Sequence, residues 1–411
     1  MKNSATQKKW TIMVYLAGDN NLDANGVIDL KEMKKVGSTS DMNVIAQFDR
    51  AGAGLPTNRY FLQKGSSLDA DAVESLGETN TGKPEFLLEF IQWGIEKYQA
   101  EHYMLILWNH GQGWDDTDIF AGKRVRGNRF LRTSRIRHAF FKTTVVNAAK
   151  MSAVGSKISR AILIDDDAKD FLDSVEMKRV LQDAKILLKR RIDILGMDAC
   201  LMSMAEVGYQ MRNSVHFTIG SEETEPLDGW PYDTILGHLS GNPGISPRDL
   251  SKIIVKKYIE SYKGKGDAVT LSACDLMTSD KFANAMKAFS DVLTKGLSDN
   301  KTQTLIANAR NRVQEYLVND NIDLVHFCNL LKASAVPGAI ANACDLVITA
   351  VKDKAGLVFS SGYNDASMKQ SHGLAIYFPT RTVSSLYARL DFVKKTGWGS
   401  FLKAYISVTR Q

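Results

Sequence analysis

A histidine and a cysteine, each at the end of a continuous apolar run, carry the sharpest chemical signal in this sequence. Tyr103-Met104-Leu105-Ile106-Leu107-Trp108 leads into Asn109-His110-Gly111, and Ile192-Asp193-Ile194-Leu195-Gly196-Met197 leads into Asp198-Ala199-Cys200. A thiolate attacks an acyl carbon and an imidazole protonates the departing group, so the two residue types together suit acyl transfer through a thioester. The thiol is useful only where its thiolate is accessible and has a cation, a helix N-terminus or an imidazole nearby. Cys200 is expected where a strand ends and a helix begins, with that helix end favouring negative charge on sulfur. The backbone N–H groups of Gly111 and Cys200 are the candidate oxyanion donors, because glycine lets a carbonyl approach the main chain closely.

What must position these groups is a pair of neighbouring buried strands whose carboxyl ends share one rim, the place where open α/β sheets hold their sites. The pattern along the chain agrees. Trp10–Ala17, Asn43–Phe48, Arg59–Leu62, Tyr103–Trp108, Ile192–Met197 and Val215–Ile219 read as strands, being short apolar or β-branched runs closed by turn residues. Helices are predicted from about Asn21 to Val36, over Pro84–Tyr98 with proline in its first turn, over Val175–Leu188 and over Leu201–Met211. Alternation of this kind gives a three-layer α/β/α sandwich with a mostly parallel central sheet. From Ser246 onward helices dominate, with Leu250–Tyr262, Ser279–Leu293 and Thr302–Tyr316 the clearest. Ala268–Leu271 and Gly373–Phe378 are strand candidates that would return to the sheet.

Composition bounds the rest. The chain has 411 residues, 44% of them hydrophobic, enough for one large domain or two ordinary ones. No apolar stretch approaches the roughly 20 residues of a membrane-spanning helix, and Met1 to Trp10 lacks a signal-peptide hydrophobic region. Cys200, Cys274, Cys328 and Cys344 show no CxxC pair and no Cys/His ligand spacing, so neither a disulfide framework nor a structural zinc site is indicated. The last three sit in apolar surroundings and read as buried packing residues.

Three stretches resemble the clostripain family of cysteine peptidases, in the caspase-like clan: Trp10-Thr11-Ile12-Met13-Val14-Tyr15-Leu16-Ala17-Gly18-Asp19-Asn20-Asn21-Leu22, Leu105-Ile106-Leu107-Trp108-Asn109-His110-Gly111-Gln112-Gly113-Trp114, and Asp198-Ala199-Cys200-Leu201-Met202. A weaker echo lies at His372-Gly373-Leu374-Ala375-Ile376-Tyr377-Phe378-Pro379. The resemblance implies a caspase-like sheet, a dyad of His110 and Cys200, and cleavage after a basic residue, with the acidic residues of the substrate pocket falling on Asp198 and Asp228. A carboxylate in a partly dry slot holds a guanidinium bidentately or an ammonium as a point charge. Asp198 could otherwise cap a following helix, and Asp228 could be turn chemistry. Glu222, Glu223 and Glu225 read as solvated residues adding negative potential at the cleft mouth. The resemblance spans about Trp10 to Trp230; with the change to helices at Ser246 it suggests a caspase-like catalytic domain at residues 1–245 and a mainly helical region at 246–411 that returns strands to the sheet. It also implies a bacterial protein that is secreted or at the cell surface.

Ile119 to Ile164 contains eleven Lys and Arg residues and no acid, in a chain of net charge +6, so the remainder is net negative. A run of this kind can be a solvated loop or a nucleic-acid patch. Sparse aromatics (Phe130, Phe140, Phe141) and a negative remainder weigh against nucleic acid as a partner. An Arg/Lys-specific peptidase with such a segment between its own histidine and cysteine contains its own substrate. Self-processing in a 119–160 linker is therefore expected, with Lys123, Arg124, Arg126 and Arg129 as candidate sites, giving light and heavy chains that stay associated. Until cut, the segment would compete for the cleft as a tethered pseudo-substrate. The other partners expected are peptides or proteins with a basic residue at P1, the position just before the cut bond. The competing readings are a caspase-like binding module without turnover and a nucleic-acid-associated protein using residues 123–160. No cofactor is required; Asp165-Asp166-Asp167 offers oxygen ligands for the calcium that some relatives use, although its spacing is not that of an EF-hand.

Overall fold

The continuous apolar runs become the middle of one sheet. The computed structural model describes residues 7–52, 54–114, 162–166, 168 and 170–409. Its strands are β1 (Lys8–Gly18), β2 (Met42–Arg50), β3 (Thr57–Phe61), β4 (Ala72–Gly77), β5 (Ala100–Trp108), β6 (Ile162–Asp165), β7 (Asp170–Leu172), β8 (Ile192–Asp198), β9 (Val215–Gly220), β10 (Val269–Asp275), β11 (Asn321–Asp323), β12 (Val358–Asn364) and β13 (Ala375–Tyr377). Nine of them form a sheet in the order β12-β10-β9-β8-β5-β1-β2-β3-β4. The five central strands, β9 to β2 in that order, run parallel. An antiparallel pair closes each flank.

Strand alternation assigns the helices to two faces. Met13 and Ile45, paired in register, both lie against Gly94 of the helix Pro84–Lys97, so a Cβ there would come within 2.7 Å of the Met13 sulfur. Ile106 and Gly196, paired one residue out of phase with them, lie against Trp230, just ahead of the helix Tyr232–Gly241. Trp108 shares that second face and donates from Nε1 to Asp29 of the helix Asp23–Lys34 at 2.7 Å. Opposite faces of one sheet are thus both covered, the three-layer sandwich expected from the pattern.

Four local expectations change. The flanking strands β4 and β12 were not anticipated, because their polar, alternately exposed sequences lack the apolar run of a central strand. The segment Gly373–Phe378 does form a strand, but β13 pairs with β11 in a separate ribbon. The helix expected over Thr302–Tyr316 stops at Arg312. The helix expected from Leu201 begins only at Ala205, because residues 201–203 are held to a neighbouring loop: Leu201 N donates to Glu223 O (3.1 Å) and Ser203 N to Ser221 O (2.8 Å). Strands β10 and β12, from beyond residue 245, extend the sheet begun by the first half of the chain, and a single hydrophobic core spans both halves.

Candidate active site

The chain leaves β1 towards β2 on one side and returns to β5 on the other, which makes the carboxyl ends of β1 and β5 a topological switch point. Asn109 stitches this point together, donating from Nδ2 to Ala17 O at 2.6 Å while its Oδ1 accepts the His110 N–H. Trp108 and Asp198 are register partners on the adjacent strands β5 and β8, so His110 and Cys200 each lie two residues beyond one rung of the ladder. The loops that follow touch: a Cβ on Gly111 would sit 2.7 Å from Cys200 O and 2.8 Å from the Ala199 Cβ, a clearance only glycine meets. The imidazole is oriented by Asn21 from the end of β1, whose Oδ1 lies 2.9 Å from His110 Nε2. Asn21 was part of a quoted motif but had no assigned role.

Cys200 is not at a helix N-terminus and is not partly exposed, in contrast to expectation. It is fully buried, and His110 is 2% exposed. The turn that carries it places Leu201 at a φ of 62°, a left-handed conformation that a branched side chain adopts at a cost. The main-chain donor nearest the sulfur is the Glu225 N–H, 3.0 Å from Sγ. Burial raises the Cys200 thiol well above its ordinary range, offset in part by that N–H and reinforced by Glu225, Glu223 and Asp198. Burial lowers the His110 imidazole to about 3. The resting pair is therefore a neutral thiol and a neutral imidazole. The other three cysteines are free and buried, as packing residues would be.

Acidic groups lie directly beside the thiol, but not all are those anticipated. Asp198 is fully buried; its Oδ2 accepts the Tyr232 hydroxyl (2.7 Å) and the Trp230 N–H (3.4 Å), while Oδ1 makes no hydrogen bond. Burial pushes its carboxyl up to about 6. It caps no helix. Asp228 is placed elsewhere: it rides the exposed tip of a turn closed by Gly229 N to Pro226 O (3.0 Å), and its carboxylate meets Lys265 Nζ at 3.0 Å with 72% of the side chain in solvent.

The residue beside Asp198 is Glu225, fully buried, whose carboxyl is driven well up by burial and by Asp198. No local sequence signal singled it out from Glu222 and Glu223, and the expectation that all three are solvated is reversed. Glu222 accepts the Tyr316 hydroxyl (2.7 Å) and the Gly373 N–H (3.0 Å), and Glu223 accepts the Leu317 N–H (3.1 Å). Donors from distant parts of the chain are what make the burial of Glu222 and Glu223 tolerable.

Lys123, Arg124, Arg126 and Arg129 lie outside the described residues. Of the acidic triplet, Asp165 is buried and accepts from Thr81 N (3.0 Å), Thr81 Oγ1 (3.3 Å) and Ala168 N (2.8 Å). Asp166 is exposed and Asp167 is outside the described residues. Among the described residues no cluster of three or more His, Cys, Asp or Glu side chains could hold a metal ion.

An α/β/α sandwich with a histidine and a cysteine at the ends of adjacent central strands defines the architecture of the caspase-like cysteine peptidases. The model of the clostripain family matches residues 14–142 and 147–405, and the chain belongs to that family of cysteine peptidases. It is 27% identical to clostripain of Hathewaya histolytica over 275 residues, 60% of this chain; the aligned part spans 45% of that relative's length. Its fold is similar to that of a secreted C11 cysteine protease from Bacteroides thetaiotaomicron, solved with an irreversible peptide inhibitor, at a TM-score of 0.64 and 18% identity over 96% of this chain and 99% of that one. It is similarly close to an inactive zymogen C11 protease from Parabacteroides distasonis, at 0.65 and 20% over 95% and 99%.

Proposed function

We propose that this chain is an endopeptidase that cuts after Arg or Lys, with Cys200 as nucleophile, His110 as acid/base and Asp198 holding the P1 cation. The observation that carries this reading is the meeting of the loops that bear His110 and Cys200 at one rim, beside the buried carboxyl of Asp198. Sγ transfers its proton to the imidazole and adds to the carbonyl carbon; the imidazolium returns that proton to the departing amine, and water then splits the thioester. Asn21 orients the ring through Nε2, and the Gly111 and Cys200 N–H groups are the candidate oxyanion donors. Asp198 in a dry slot discriminates, because a neutral P1 side chain would leave its charge unpaired.

The same reading extends to self-processing within the basic segment between the two dyad residues, at Lys123, Arg124, Arg126 or Arg129. The burial of Cys200 and His110 in the uncut chain fits a latent form. Release from a bacterial cell is part of the proposal; no described helix is long and apolar enough to cross a membrane. Fluorogenic peptides ending in Arg, Lys, Asp or Leu test the whole. Hydrolysis of the first two, abolished in Cys200→Ala, is expected, and wild-type protein should resolve into two fragments while Cys200→Ala stays whole. Cleavage after Asp or Leu alone, or salt-sensitive DNA binding without hydrolysis, would overturn the reading.

A further inference from the structure

The loop 221–225 returns to the nucleophile from β9, and its last residue does two things at once. The Glu225 N–H reaches Sγ of Cys200 at 3.0 Å, and its side chain points into the same buried space as Asp198. Around that space both carboxyl oxygens of Glu225, Oδ1 of Asp198, the Trp230 indole nitrogen and the Tyr258 hydroxyl find no partner of good hydrogen-bond geometry, the Glu225 carboxyl meeting Asp198 and Trp230 only loosely. All four residues are fully buried. Native interiors leave few such groups unmet, and several in one place point to a ligand that completes them. Two acids, an aromatic wall and a hydroxyl are what a guanidinium or ammonium on an alkyl stem would take.

We infer that Glu225, together with Asp198, forms the floor of the P1 pocket, and that a basic side chain entering it also readies the adjacent thiol by cancelling the negative charge beside the sulfur. The inference rests on the peptidase reading and deepens it: Glu225 is a specificity-determining residue that couples P1 charge to the nucleophile. Its neighbours support the coupling, since Glu225, Glu223 and Asp198 all disfavour the thiolate. A cation placed between Asp198 and Glu225 offsets that local field.

The test compares matched peptides with Arg or citrulline, its neutral isostere, at P1, in wild type, Glu225→Gln and Asp198→Asn. For Glu225→Gln, kcat/KM for Arg falls by about tenfold or more, with KM rising, because one of two carboxylates facing the cation is gone. For citrulline at alkaline pH, where the pocket carboxyls are ionised, it rises by about threefold, because the thiolate no longer faces that charge. Opposite changes on two substrates are not what general damage produces, and the Arg/citrulline ratio within one preparation is independent of the folded fraction. Should Glu225→Gln not accumulate, Glu225→Asp serves, with a smaller fall in the same ratio. A ratio unchanged within about twofold in Glu225→Gln while Asp198→Asn loses Arg cleavage would overturn this inference and leave the peptidase reading standing. If wild type cuts after neither Arg nor Lys, it is the peptidase reading that fails.

Discussion

Replacing Tyr232 by Phe removes one oxygen, the donor 2.7 Å from Asp198 Oδ2. A hydrogen bond to a charged acceptor contributes about 1.5 to 3 kcal/mol, and about 1.4 kcal/mol corresponds to one pH unit of titration. The bond favours the ionised carboxylate, so its loss raises the carboxyl of Asp198 by about one to two units above its present value of about 6. Less of the pocket is then ionised at mildly acidic pH, and a P1 cation finds less charge to pair with. The assay is the pH profile of kcat/KM for an Arg peptide, which reports groups of the free enzyme. The carboxyls of Asp198 and Glu225 lie side by side and act on each other's protons, so the acid limb belongs to both. In Tyr232→Phe that limb should move upward by the same one to two units, with activity about tenfold lower near pH 6 and close to parity near pH 9. A citrulline peptide, which needs no charge in the pocket, should show no such loss near pH 6. An acid limb that superimposes on that of the parent would refute the assignment of Asp198 to substrate binding.

Gly111→Ala forces a Cβ against Cys200 O and the Ala199 Cβ at 2.7 and 2.8 Å; the dyad loops should part and kcat fall by about 100-fold, measured in steady state beside a melting curve, since overpacking costs about 1 to 3 kcal/mol. Asp228→Asn removes only an exposed pair with Lys265, so Arg cleavage should change by less than about threefold and Tm hardly at all. Asn21→Ala should lower kcat by about ten- to 100-fold with KM little changed, because the imidazole loses the amide at Nε2 that orients it.

How much of this was legible in the sequence depends on where each feature keeps its cause. The strands β1, β2, β5, β8 and β9 are buried on both faces, so their apolar runs announce them, and the residues at their ends follow. The edge strands β4 and β12 draw their order from a single neighbour, and Ser360-Ser361-Gly362 carries no periodic signal. The helix boundary at Ala205 was hidden because residues 201–203 bond to the loop 221–223, a contact between segments far apart in the chain. The same holds for the three glutamates. Their run looks solvated until Tyr316, Leu317 and Gly373 arrive from the last third of the molecule to meet Glu222 and Glu223. Asp198 and Asp228 were named together by the resemblance, and their opposite burial depends on how one strand end and one turn point.

The bonds from Glu222 and Glu223 to Tyr316, Gly373 and Leu317 have a consequence for dissection of the molecule. Ser203, three residues past Cys200, is fastened in the same way, its hydroxyl to Gly373 O at 2.9 Å and its carbonyl to Ala375 N at 2.9 Å. A version trimmed to the first 245 residues would keep every side chain of the chemistry yet strip buried carboxylates of their donors and unmoor the backbone around the sulfur. The distal third thus behaves as a keystone rather than an appendage, and engineering that shortens the enzyme must spare it.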